Sequence, residues 1–190
     1  MISPARFIPL AEGNGLISAF SDWAIRNVCA QQRAWIDAGL AAVPVAVNIS
    51  AQHFARNDLP AMVAKVLVEY DLPPQLLQLE LTESLLMRNA SQVAVVLQTL
   101  HAMHVKTAID DFGTGYSSLA YLNQFRIHAL KIDRSFVCQI GERGETTRLA
   151  AAIIAMAHEL ELEVVAEGVE TEVQRDYLVK HGCDQLQGYL

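Results

Sequence analysis

Apolar and polar positions change their period several times along this chain, and each change marks a boundary between elements. From about Ser18 to Ala38 the apolar residues recur at helical spacing, and the pattern stops at Gly39. Val43–Ser50, VPVAVNIS, then has the composition of a strand. Asp58 is placed to cap a helix running to about Tyr70, and Leu76–Glu83, LLQLELTE, alternates as a strand. Asn89 or Ser91 opens a helix to about His104, and Val105–Asp110 is a strand. A loop with Gly113 and Gly115 leads into a short helix over roughly Ser117–Asn123, followed by a strand at His128–Asp133. A polar loop, Gly141–Glu145, precedes a helix from about Glu145 to Leu160. Leu162–Glu167 is a strand, Thr171 caps a helix to about His181, and DQLQGYL closes the chain as a last strand.

Strands that alternate with helices predict parallel pairing through right-handed crossovers. The expected fold is α/β: an incomplete (β/α) barrel of TIM type with about six of the eight strands a full barrel has. A doubly wound open sheet is the alternative, but no glycine fingerprint follows Val43–Ser50.

Composition narrows the class. The chain has 190 residues, 52% hydrophobic and 18% charged, which suits one well-buried domain. A net charge of −7 argues against a face for polymeric nucleic acid. It leaves room for a small anionic substrate held through metal ions. Cys29, Cys138 and Cys183 have no metal-binding spacing and read as free thiols in a reducing cytoplasm. No apolar run approaches the ~18 residues of a membrane span, and the first residues lack a signal core.

The polar residues on the strands carry the chemistry. Asn48 ends the first strand; Gln78, Glu80 and Thr82 alternate with leucines on the second. Lys106 and Asp110 share a parity on the third, Lys131 and Asp133 on the fourth, and Gln185 and Gln187 on the last, while Glu167 ends the fifth. Strand side chains alternate faces, so one parity packs under helices and the other gathers polar groups at the C-terminal end. Barrel active sites lie at that end. Asp110 and Asp111 are adjacent like charges, which a divalent cation between them would stabilise. An all-oxygen donor set suits magnesium, manganese or calcium rather than zinc. The acids suffice for two ions sharing a bridging carboxylate, a recurrent device of phosphoryl chemistry. Lys131 is then placed to hold a water or stabilise developing charge, and its structural role is to pair with Asp133 or Asp111. A carbon-acid enzyme with Lys131 as base is a separate possibility. His101 and His104 lack a third ligand, His53 follows Asn48 closely, and Trp23 and Trp35 read as core packing.

VNIS, LELTES, AIDDFGTGYSSLAYL, LKIDRSFV, VVAEGVET and QGY resemble, in order and spacing, the EAL-domain family of cyclic-di-GMP phosphodiesterases. ISPARFIPLAEGNGLI is similar to a segment of the same family, so the resemblance spans essentially the whole chain. It implies a modified βα barrel that opens cyclic-di-GMP to the linear dinucleotide pGpG with two divalent cations, Mg2+ or Mn2+. It implies Asn48, Glu80 and Asp110 as ligands of one metal. Asp110 would bridge to a second metal held also by Asp111 and Glu167. Lys131 would stand near the attacking water and would be catalytic together with Glu167 and Asp111, Gln187 would line the substrate site, and Glu170 would fix the loop Asp111–Ser118. That loop would also contribute to a homodimer. The Glu-Ala-Leu motif and its arginine are absent from these residues, so the chain is expected to be a single EAL domain over residues 1–190, cut at both ends. A non-hydrolytic module that binds cyclic-di-GMP or a regulatory partner is the alternative function.

Overall fold

The computed structural model describes residues 2–55, 58–88, 90–114, 122–141 and 146–190. The short helix expected near Ser117–Asn123 and most of the Gly141–Glu145 loop lie outside the described residues. The chain divides into two compact units, Met1–Leu81 with Ser91–Lys106, and Thr82–Ala90 with Thr107–Leu190.

The first unit holds α1 (Pro4–Gly13), α2 (Ile17–Asp37), β1 (Val45–Asn48), α3 (Ala51–Ala55), α4 (Leu59–Glu69) and β2 (Leu77–Thr82), the last closing at the unit boundary. Helix α6 (Ala90–Ala102) returns to it after α5 (Glu83–Arg88). The α2 residues Ile17, Ser21, Ile25, Cys29 and Gln32 form a stripe at helical spacing and are buried. Gln32 ends that stripe by donating to the carbonyls of Val43 and Leu76, at 2.8 and 3.0 Å. Trp23 lies off the stripe and is 63% exposed, so it is not the core residue its aromaticity suggests. β1 and β2 pair in parallel, Val45 with Leu77 through Asn48 with Glu80. Leu77, Leu79 and Leu81 are buried on the helix side.

The second unit holds α5, then β3 (Lys106–Phe112), β4 (Ala129–Ile132), α7 (Arg134–Val137), α8 (Thr146–Glu159), β5 (Glu163–Val169), α9 (Glu172–Lys180) and β6 (Gln185–Gly188). Its strands pair in parallel and in chain order, β3 to β4 to β5 to β6, without the reversal a doubly wound sheet needs. Ile109, Leu130, Ile132, Val164 and Ala166 are buried on one face, with Ile154 of α8 and Leu178 of α9. Thr171 caps α9 with a full capping box, as its sequence TEVQ anticipates.

The expected strands are all present, within two residues at most ends. Among the described residues, the α-helices α1, α3, α5 and α7 were not anticipated. Three of them have four to six residues, too short to show a helical period, and α1 carries Pro9 inside it.

Candidate active site

Each unit brings together its own set of the expected site residues. In the first, Asn48 and Glu80 are register partners at the ends of β1 and β2, so their side chains leave the same face. The ladder continues one step further, where Ile49 donates to the Glu80 carbonyl at 2.8 Å. Glu80 is buried and Asn48 exposed. His53 is buried and meets Asp22 of α2 at 2.9 Å, which ties α3 to α2.

In the second unit the ladders are broken where the acids stand. Ile109 pairs with Leu130, but the next pair is Phe112 with Ile132. Asp110 and Asp111 thus face the single residue Lys131, which is a β-bulge. Asp111 takes a left-handed φ of 55°, uncommon for a residue with a side chain. Strict alternation would send Asp111 to the helix side; the bulge turns it back. The same break occurs on β5, where Glu167 pairs with Gln187 and Val169 with Gly188, leaving Gly168 as the extra residue at φ 71°.

The result is a cluster of three carboxylates. Among the described residues, Asp110, Asp111 and Glu167 are the group that offers ligand oxygens all within 4.8 Å of one another. Lys131 sits among them. Its Nζ donates to Asp110 Oδ1 at 2.9 Å and to Glu167 Oε1 at 2.6 Å, with side chains 7%, 13% and 20% exposed. Its ion pairs with Asp110 and Glu167 are both within hydrogen-bond distance, and its charge also acts on Asp111. Burial, then the charges of Asp110, Asp133 and Glu167, raise the Asp111 carboxyl above its usual range, with Lys131 opposing them. Three acids around one ammonium leave negative charge unbalanced, and all the donors are oxygen. Those are the properties of a site for hard divalent cations. Gln187 lies beside Glu167 on exposed β6.

Two contacts frame this cluster. Glu83, 3% exposed at the start of α5, accepts from the Gly113 N–H at 2.8 Å through Oε2. Strand parity singles out Glu80 but not Glu83, whose signal in the sequence is a second acid three residues later. Glu170 accepts from Arg134 at 2.8 Å, and residues 115–118 of the loop assigned to it lie outside the described residues. Asp133, grouped with Lys131 by parity, instead caps α7 by accepting from the Ser135 N–H at 3.0 Å.

The EAL domain family matches residues 1–190. The bifunctional diguanylate cyclase/cyclic di-GMP phosphodiesterase MucR of Pseudomonas aeruginosa is 45% identical over 190 residues, all of this chain and 28% of that protein. The cyclic di-GMP phosphodiesterase NbdA of the same organism is 45% identical over the whole chain and 24% of its own length. The chain thus spans about a quarter of the length of these relatives. A structure of the PaMucR phosphodiesterase in complex with c-di-GMP superposes with a TM-score of 0.94 at 45% identity, covering all of this chain and 76% of that one. The fold is accordingly that of an incomplete (β/α) barrel of the EAL type.

Proposed function

The chain belongs to the EAL-domain family, and on that premise we propose that it serves the hydrolysis of cyclic-di-GMP to linear pGpG at the C-terminal ends of its strands. The observation that carries this is the paired bulge of β3 and β5, which sets Asp110, Asp111 and Glu167 around Lys131. Asp110, Asp111 and Glu167, with Asn48 and Glu80, are the proposed ligands of two divalent cations, Mg2+ or Mn2+. Bound there, such ions would supply charge neutralisation at the phosphodiester and activation of water.

The chain's own groups do the rest. Lys131 Nζ, held by Asp110 and Glu167, is the proposed hydrogen-bond donor to the attacking water. Asp111 is the more exposed acid and is the proposed acceptor of the water's proton. The water oxygen joins phosphorus as its proton passes to Asp111, the P–O3′ bond breaks, and the departing ribose oxygen takes a proton from solvent, to which Asp111 returns its own. The products are a 5′-phosphate and a free 3′-hydroxyl on one linear dinucleotide. Gln187 is the proposed substrate contact. The proposed homodimer would use the region of Asp111–Ser118. Among the described residues no helix is long and apolar enough to cross a membrane, in keeping with a proposed cytoplasmic setting.

The test is chromatographic: cyclic-di-GMP incubated with the chain and manganese. Formation of pGpG, lost in Lys131→Ala and Asp110→Asn, is the expected result. Binding of unaltered nucleotide would replace this function with the non-hydrolytic module. Neither binding nor product would remove both.

A further inference from the structure

β4 and α7 present two basic residues three apart, Lys131 and Arg134. β5 and the turn after it present two acids three apart, Glu167 and Glu170. Each base meets the acid facing it on β5 or the turn after it: Lys131, which also holds Asp110, meets Glu167 at 2.6 Å, and Arg134 meets Glu170 at 2.8 Å. The inner pair is nearly buried, and the outer pair is 62% and 43% exposed. Between the two acids lies Gly168, the bulge residue.

Arg134 does more than reach Glu170. A Cβ on Gly168 would lie 2.9 Å from both Cβ and Cδ of Arg134, and would overlap its Cγ. The aliphatic stem of Arg134 therefore lies flat on the backbone of the bulge, and its guanidinium closes over it onto Glu170. Both ends of this strap are fixed. Asp133 caps α7 directly before Arg134. The Glu170 and Thr171 N–H groups both donate to Gln174 Oε1, at 2.8 and 3.0 Å. Two residues further along α7, Phe136 fills the space beside Gly113, where a Cβ would come within 2.7 Å of its ring.

A bulge removes the ladder's control over the direction of the residue beside it, and glycine adds backbone freedom. We propose that Arg134 is a positioning residue: its side chain, strapped across Gly168 to Glu170, sets the angle at which Glu167 faces the Asp110–Asp111 cluster. This rests on the metal-site function proposed above. Exposed ion pairs contribute little to folding stability, so the strap's effect falls on the geometry of Glu167 and not on whether the chain folds. Partners that orient a metal ligand typically alter affinity about 10–100-fold.

Two measurements on the intact chain test it, for Arg134→Ala, Arg134→Lys and Glu170→Gln. In amide hydrogen exchange without metal, Gly168–Glu170 exchange faster in Arg134→Ala while the melting temperature stays within about 4 °C of the parent. Manganese titration by calorimetry then gives affinity reduced about 10-fold or more in Arg134→Ala and Glu170→Gln, with recovery in Arg134→Lys, which keeps stem and charge. Unchanged exchange at Gly168–Glu170 overturns the strap. So does unchanged manganese affinity in Arg134→Ala. If the parent chain binds no manganese while exchange still rises in Arg134→Ala, the metal reading falls and the strap's hold on the bulge stands.

Discussion

The ends of β1 and β2 and the ends of β3 and β5 both carry acids or amides expected at the site, but they hold them differently. On the first pair the ladder stays regular: Asn48 and Glu80 follow from strand parity, and Ile49 extends the pairing beyond them. On the second the ladder is broken twice, at Asp110–Asp111 and at Gly168. A regular ladder can offer one polar side chain per two residues on a face. A bulge can offer two in succession, at the cost of a left-handed backbone and close like charges. The second region therefore concentrates three carboxylates and needs an ammonium among them, whereas the first carries a single acid.

The largest expected effect follows from that ammonium. Lys131→Ala leaves Asp110 and Glu167 largely buried without their cation, and breaking such a pair costs about 3–5 kcal/mol. Urea unfolding without metal measures it. A loss below about 1 kcal/mol would show that the carboxylates do not depend on Lys131.

Glycine substitutions come next. Gly168→Ala forces a side chain into a φ of 71° and against the Arg134 stem. About 1–2 kcal/mol for the left-handed backbone and about 1–3 for crowding give roughly 2–5 kcal/mol. Gly13→Ala, where nothing lies within 4 Å and φ is not positive, is the control and should be near neutral or stabilising. Equal losses at the two positions would remove the distinction between bulged and open backbone.

Manganese should stabilise the parent chain by about 2.7 kcal/mol at a hundredfold excess over its dissociation constant. Asp110→Asn should remove more of that gain than Asp111→Asn, because only Asp110 is proposed to bridge two ions. Thermal melts with and without metal decide it, and a reversed order would exchange the two roles.

The smallest effect is a pH dependence. The folded chain holds a proton on Asp111 more tightly than the unfolded chain does. Between the unfolded and the raised folded value the native state binds more protons, so stability falls as pH rises through that window. The penalty is absent below the ordinary carboxylate value and complete above the raised one. Melting temperatures of the metal-free parent and Asp111→Asn across acidic pH should converge at the low end and separate upward. Parallel curves would show that Asp111 is not under this strain.

The sequence by itself determined the order of strands, the parity that groups Asn48, Glu80, Asp110, Lys131 and Glu167 at strand ends, and the family. These are local or cumulative signals: alternation has a fixed period, and the motifs keep their spacing whatever the chain packs against. It also put Asp110 and Asp111 side by side, yet alternation alone assigns them to opposite faces. Only the tertiary structure decided that Asp111 turns back to the same side, because a bulge is a mismatch between two strands and neither strand encodes it alone. The same holds for Glu83 against Gly113 and for Arg134 across Gly168, residues 30 and 34 apart in sequence. Trp23 was misjudged for a related reason: its aromatic ring favours burial, but the angle at which α2 presents its buried stripe leaves it on the outside. Which pairs of side chains meet is set by how strands register and helices seat, and those are properties of the packed chain.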